Sequence, residues 1–182
     1  MKNNILKRVF CVILCLGCVG MLAGCKKTQT QPDVSLTDIA DKVKEAYGDS
    51  YIPQGTVDET ALEQQYGLTS DMYKEAYGEM AMISTQVDTF IAVHANTDKA
   101  DAVEEALNKY RDYLINDAMN YPMNIGKVNG STVYRNGDYV FFIMLGDMPM
   151  DVTDQGEEAA KTYAQEQNQI AVKAIEEMLT AK

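Results

Sequence analysis

His94 is the sole histidine among 182 residues, so any serine-histidine-carboxylate arrangement must be built on it. No serine lies in a G-x-S-x-G elbow, the strained strand-to-helix turn that exposes a nucleophilic hydroxyl. His94 is therefore expected at a strand end, partly in solvent, and no catalytic residue is assigned. A second group is Asp147, Asp151, Asp154, Glu157 and Glu158, five carboxylates within twelve residues. Hard cations such as calcium take oxygen ligands of this kind. A calcium loop starting at Asp151 would place Gly156 at its turn, but the twelfth residue is Thr162 instead of a bidentate glutamate. A solvated loop entering an acidic first helical turn, where the helix dipole favours negative charge, is the expected role. Asp147, Asp151 and Asp154 are the candidates should a metal bind, and no metal or cofactor is expected. Met144, Met148 and Met150, with Met80 and Met82, offer thioethers to a cuprous ion, although methionine more commonly fills irregular core gaps. Of the eleven tyrosines, Tyr47, Tyr110 and Tyr163 sit on apolar helical stripes. Tyr51, Tyr73, Tyr77 and Tyr121 are candidates for a contact surface.

The cysteines carry a sharper chemistry. Lys2, Lys7 and Arg8 precede a fourteen-residue apolar run, Val9 to Leu22, and then comes Leu22-Ala23-Gly24-Cys25. A helix crossing the hydrocarbon core needs about 20 apolar residues, so a permanent transmembrane span is the weaker reading and a secretory signal the stronger. The tetrapeptide resembles the lipobox of bacterial lipoproteins at all four positions. Small side chains admit a peptidase between Gly24 and Cys25, and the Cys25 thiol accepts diacylglycerol. Two acyl chains, at about 0.8 kcal/mol per buried methylene, make such an anchor effectively permanent. Cys11, Cys15 and Cys18 would leave with the signal, so the mature chain has no disulfide and no thiolate metal site.

Loss of Lys2, Lys7 and Arg8 takes 16 basic residues to 13 against 27 acidic ones, and the net charge from −11 to −14. Such a body repels phosphate backbones and anionic lipid heads, which excludes nucleic acid as a partner. Residues 25–34 are polar, with no apolar period, and read as a lipidated cysteine plus a flexible tether with a reach of about 30 Å. Residues 35–182 suffice for a single domain.

The elements that must position the side chains follow from periodicity. Leu36, Ile39, Ala40, Val43 and Tyr47 recur at helical spacing, between a Ser35/Asp38 capping box and a Gly48 stop. A short helix capped by Thr56 and Glu59 runs to about Tyr66, and a second is expected from Asp71 to about Met80. Ile83 to His94 alternates with period two and predicts a strand covered on both faces. Thr97 caps a helix with Val103, Ala106, Leu107, Tyr110 and Leu114 inward, stopped at Tyr121-Pro122. Thr132-Val133-Tyr134, a type I′ turn at Asn136-Gly137 and the strand from Asp138 to Leu145 form a hairpin in which Arg135 faces Asp138. A loop spans Gly146 to Thr153. A closing helix, Asp154 to about Ala181, turns Tyr163, Ile170, Ala174 and Met178 inward. The expected fold is α+β: a small three-stranded, mostly antiparallel sheet of strand, helix and hairpin, with helices packed on one face, after an N-terminal helical segment.

Tyr66-Gly67-Leu68, Val87-Asp88 leading into Phe90-Ile91-Ala92-Val93, the helix from Asp98, and Asn136-Gly137-Asp138-Tyr139-Val140 together resemble the lipoproteins of the domain of unknown function 4358 family. The resemblance spans about residues 36 to 145. It implies a small secreted lipoprotein of an anaerobic Gram-positive bacterium. It also implies an accessory role in modifying wall polymers, beside membrane O-acyltransferases of the envelope. The family supplies no catalytic or binding residues to carry over.

Residues and resemblance together lead to one expectation: an extracytoplasmic lipoprotein on the outer face of the cell membrane, serving as a non-catalytic binding or accessory module for an envelope protein or polymer. The alternative is a wall-associated enzyme, acting in acylation or hydrolysis of an envelope polymer through carboxylates and His94. Solute capture for an uptake system is disfavoured, because a single small domain lacks the two lobes usual in such receptors.

Overall fold

The computed structural model describes residues 32–180. The segment read as a signal, the expected cleavage point at Gly24, Cys25 and the first part of the expected tether lie outside the described residues. Helix α1 (Leu36–Tyr47) buries Leu36, Ile39, Ala40, Val43 and Tyr47, as its spacing predicts. Ser35 Oγ accepts from Thr37 N at its start, and Gly48, at φ 55°, ends it. A 3-10 turn (Gly48–Ser50) and a two-residue strand β1 (Gly55–Thr56) lead to α2 (Glu59–Tyr66). The cap of α2 is Asp58, whose side chain accepts from Ala61 N, because Thr56 is committed to β1.

The segment expected to form a helix from Asp71 is strand β2 (Tyr73–Met80). The cause of the difference is a bulge. Tyr73 pairs with Ala95 and Glu75 with His94, which leaves Lys74 as the extra residue. The slip puts Tyr73 and Ala76 on one face while Tyr77 packs on the other, so the apolar spacing mimics a helical three-residue step. Tertiary pairing then overrides the helix propensity of Lys, Glu and Ala.

Strand β3 (Thr89–Ala95) is central, α3 (Ala100–Asn116) returns antiparallel to it, and a 3-10 turn (Pro122–Asn124) enters the short α4 (Ile125–Gly130). The start of α3 carries no side-chain cap. Asn96, not Thr97, organises the turn before it, by donating to the carbonyls of Asp71 and Tyr73. The hairpin joins β4 (Thr132–Asn136) to β5 (Tyr139–Met144), with Asn136 paired to Tyr139. Its two turn residues are therefore Gly137, at φ 60°, and Asp138, one residue later than the sequence suggested. Positive φ at the first turn position alone is the type II′ pattern. Arg135 consequently pairs in register with Val140, and its guanidinium reaches Asp101 and Glu104 on α3. The closing elements are α5 (Met150–Thr153) and α6 (Glu157–Thr180).

The fold is α+β, with five antiparallel strands in the order β1-β2-β3-β5-β4 among the described residues, rather than three. Both faces of the sheet are covered, rather than one. Phe90, Ala92, Phe141 and Ile143 pack under α1 and α6 on the first face. Ile91, Val93, Val140 and Phe142 pack under α2, α3 and Val128 of α4 on the second. The alternation along β3 places successive residues on opposite faces, which is why both strands of the β3/β5 pair are buried almost throughout. No helix among the described residues is long and apolar enough to cross a membrane.

Candidate functional site

The two ends of the sheet are built differently. At one end, where β3 finishes and β5 begins, the chain enters the fold. Tyr139 Oη accepts from Val34 N at 2.9 Å and donates to Val34 O at 3.0 Å, and Glu75 accepts from Leu36 N. Val34, assigned to the tether by sequence, is thus already clamped to the sheet. His94 stacks on Tyr139 with centroids 4.2 Å apart, its Nε2 lies 3.3 Å from Lys74 Nζ, and its Nδ1 lies 3.7 Å from Asp33. Burial, aided by the Lys74 charge, holds the imidazole below its ordinary pKa of 6.5 against the pull of Asp33, Asp138 and Glu75. His94 is a stacking partner at the entry whose charged form is disfavoured by burial.

At the other end a cleft of about 660 Å³ opens between the 81–88 connection, the turn entering α4 and the loop after β5. Its floor is an ion pair: Lys127 Nζ donates to Asp88 Oδ1 at 2.7 Å, with side-chain exposures of 8% and 3%. Burial raises the Asp88 carboxyl above the usual carboxylate range, while the adjacent Lys127 works in the opposite direction. The pair is held from several sides. The Asp88 carbonyl accepts from Ala81 N and closes the β2/β3 connection. Lys127 is positioned by α4, which presses on α6 through small residues: a Cβ on Gly126 would lie 2.3 Å from Ala160 Cβ, and one on Gly130 2.5 Å from Ala164 Cβ. Asn124 donates to the Thr85 carbonyl across the cleft wall. Fully buried Asn168 of α6 accepts from Leu145 N and donates to Gly130 O, tying β5 to α4.

The mouth of the cleft is apolar. Met123, Met148, Pro149 and Met150 line it together with Ile52. Exposed Met80, Met82, Ile83, Met119 and Tyr121 lie on the same end of the molecule, on β2's last residue and the connections after β2 and α3. Exposed Tyr113 sits in the last turn of α3, at this end as well. Exposed apolar side chains gathered at one end of a domain mark contact sites more often than singly scattered ones do.

The residues singled out by sequence separate accordingly. His94 and the acidic run stand at opposite ends of β3 and β5, about 17 Å apart by the rise of five strand residues. Asp147 accepts from Ser50 Oγ, Glu157 from Asn129, and Glu158 pairs with Lys161. Asp147 and Asp154 line the cleft. Among the described residues no group of three or more His, Cys, Asp or Glu side chains is placed to hold a metal ion, so Asp147, Asp151 and Asp154 do not converge as one. Of the methionines, Met144 is buried and Met148 and Met150 reach the cleft. Tyr51 and Tyr77 are engaged with Lys44 and Glu79: Tyr51 donates to Glu79, and Lys44 donates to both Glu79 and Tyr77. Tyr73 is at the opposite end of β2; of the four contact candidates, exposed Tyr121 belongs to the apolar end, and half-buried Tyr51 lines a groove there with Met82 and Ile83. The sequence analysis missed Asp88, Lys127 and Asn168, because an ion pair 39 residues apart leaves no periodic trace. The Gly126/Gly130 spacing matched by Ala160/Ala164 is the signal that could have found the α4/α6 contact.

A two-face antiparallel sandwich with one clamped end and one open, methionine-rimmed end defines the class of this domain. The chain belongs to the family described as Domain of unknown function (DUF4358), whose model matches residues 46–145. No curated protein and no solved structure matches the chain.

Proposed function

We propose that this protein is a non-catalytic binding module of the cell envelope, carried on the outer face of the membrane by lipid on Cys25, whose contact surface is the methionine-rimmed cleft. One observation carries the reading. The chain enters at the Val34/Tyr139 end, and the exposed apolar surface lies at the opposite end of the sheet. A tether attached there joins the domain away from that surface. The floor of the cleft supports binding rather than chemistry, since Lys127 and Asp88 neutralise each other in a buried pair that fixes the cleft wall.

A photo-crosslinking side chain placed at position 150 in the full chain, expressed in its own cells, is expected to yield a discrete adduct. The same group at position 177, on the exposed face of α6, is expected to yield none. Adducts from 177 alone, or from neither position, overturn the assignment of the surface. The anchor has its own measurement: Cys25→Ala is expected to move the protein from the membrane fraction to an unlipidated form.

A further inference from the structure

Resting on that surface assignment, we propose that the occupant of the cleft end is a polypeptide segment that is both cationic and apolar, such as a basic amphipathic helix. Three observations on the page select it. The first is extent. The 660 Å³ cleft is the size of a small-molecule site, but exposed Met82, Met119 and Tyr121 lie outside its lining on the same connections that wall it. A ligand confined to the cleft leaves that rim bare, whereas a chain segment covers both.

The second is charge. The connections 81–88, 117–124 and 146–156 contain no Lys, Arg or His, while Asp117, Asp147, Asp151 and Asp154 are exposed on them. Among the described residues lining the cleft the one cation, Lys127, is committed to Asp88 at its floor. An anionic polymer or an anionic lipid surface meets only repulsion here, and a basic segment meets the carboxylates of Asp147 and Asp154 beside apolar side chains.

The third is side-chain type. Methionine is unbranched and polarisable, so a methionine surface re-forms around differing apolar side chains. Stacking on sugar rings calls instead for aromatic faces, and the cleft lining contains none. The mode is helix-in-groove recognition, with apolar anchors at i, i+3, i+4 and i+7 entering the cleft and Lys or Arg at its margins.

The test uses the mature chain with ¹³C-labelled methionine methyls and three synthetic helical probes: leucine with lysine, leucine with glutamate, and serine with lysine. Saturable binding of the leucine-lysine probe is expected, with shifts at Met123, Met148 and Met150 and none at Met72 or Met178. Binding is expected to weaken about tenfold in the Asp147→Asn/Asp154→Asn double variant, the sum of two exposed charge contacts. Shifts centred on Met72 or Met178, or an unchanged affinity in the double variant, overturn the proposal. Equal binding of the leucine-glutamate probe overturns the cationic requirement. Equal binding of the serine-lysine probe overturns the apolar one. Stoichiometric silver ion shifting Met148 and Met150 while no peptide binds assigns the thioethers to a soft metal and overturns it as well. Adducts at position 150 in cells, combined with no peptide binding, defeat the cationic occupant and leave the contact surface standing; absence of both defeats the two together.

Discussion

The two ends of the sheet differ in how their polar and apolar groups are satisfied. At the entry end Tyr139 is buried and its hydroxyl is bonded twice to the Val34 backbone, with His94 stacked over its ring. At the cleft end a buried ion pair is sealed beneath a mouth of exposed methionines. The first arrangement spends its polar contacts on holding the chain. The second keeps its polar contacts inside and presents apolar side chains to water, an exposure that contact with another apolar surface would relieve.

The contrast breaks most sharply at the floor of the cleft. Lys127→Ala leaves the Asp88 carboxylate buried without its partner and is expected to cost about 3–5 kcal/mol by urea unfolding. Replacing both residues, Lys127→Met with Asp88→Leu, is expected to recover most of that loss. Gly126→Ala drives a methyl into Ala160 and is expected to cost about 1–3 kcal/mol in the same measurement, with a lowered melting temperature.

At the entry end Tyr139→Phe removes the hydroxyl but keeps the ring. About 1 kcal/mol is expected, together with faster amide exchange at Leu36 and no change at Ala81. Glu79 supplies a pH signature. Burial pushes its carboxyl up, but hydrogen bonds from Lys44, Tyr77 and Tyr51 outweigh this and hold it below the ordinary 4.5. Its contribution is therefore complete above pH 4.5 and declines as the pH falls through the lowered folded value. Glu79→Gln is expected to flatten that share of the acid titration of stability. The smallest effect belongs to the rim: Met82→Ser, Met119→Ser and Met150→Ser are each expected to change stability by less than about 0.5 kcal/mol. The Met150→Ser chain is nonetheless expected to lose binding of the leucine-lysine probe.

How far the sequence reveals these regions depends on the range of the interactions. Helix α1 and the β4/β5 hairpin are legible because their signals are local: apolar spacing, a serine cap and a glycine turn. Even there the turn falls one residue later, since register is set by pairing along the whole of β5 rather than by the Asn-Gly step alone. Strand β2 is hidden by its bulge at Lys74, which disguises alternation as a helical stripe. Helix α4 spans six residues, too short to show a period. Of the cleft, the sequence exposes the parts that cluster locally, Asp147, Met148, Met150 and Asp154. It conceals those joined by folding, Asp88 with Lys127 and Asn168 with Leu145 and Gly130.

Helix α6 begins twelve residues after the family-matched stretch ends at residue 145, yet it shares the cover of the first sheet face with α1. Growing from its N-terminus, a nascent chain holds Phe90, Phe141 and Ile143 without that roof until residues 157–180 have emerged. The buried amide of Asn168 joins this helix to Leu145 and to the end of α4, so the cleft wall is complete only with residues 157–180 in place.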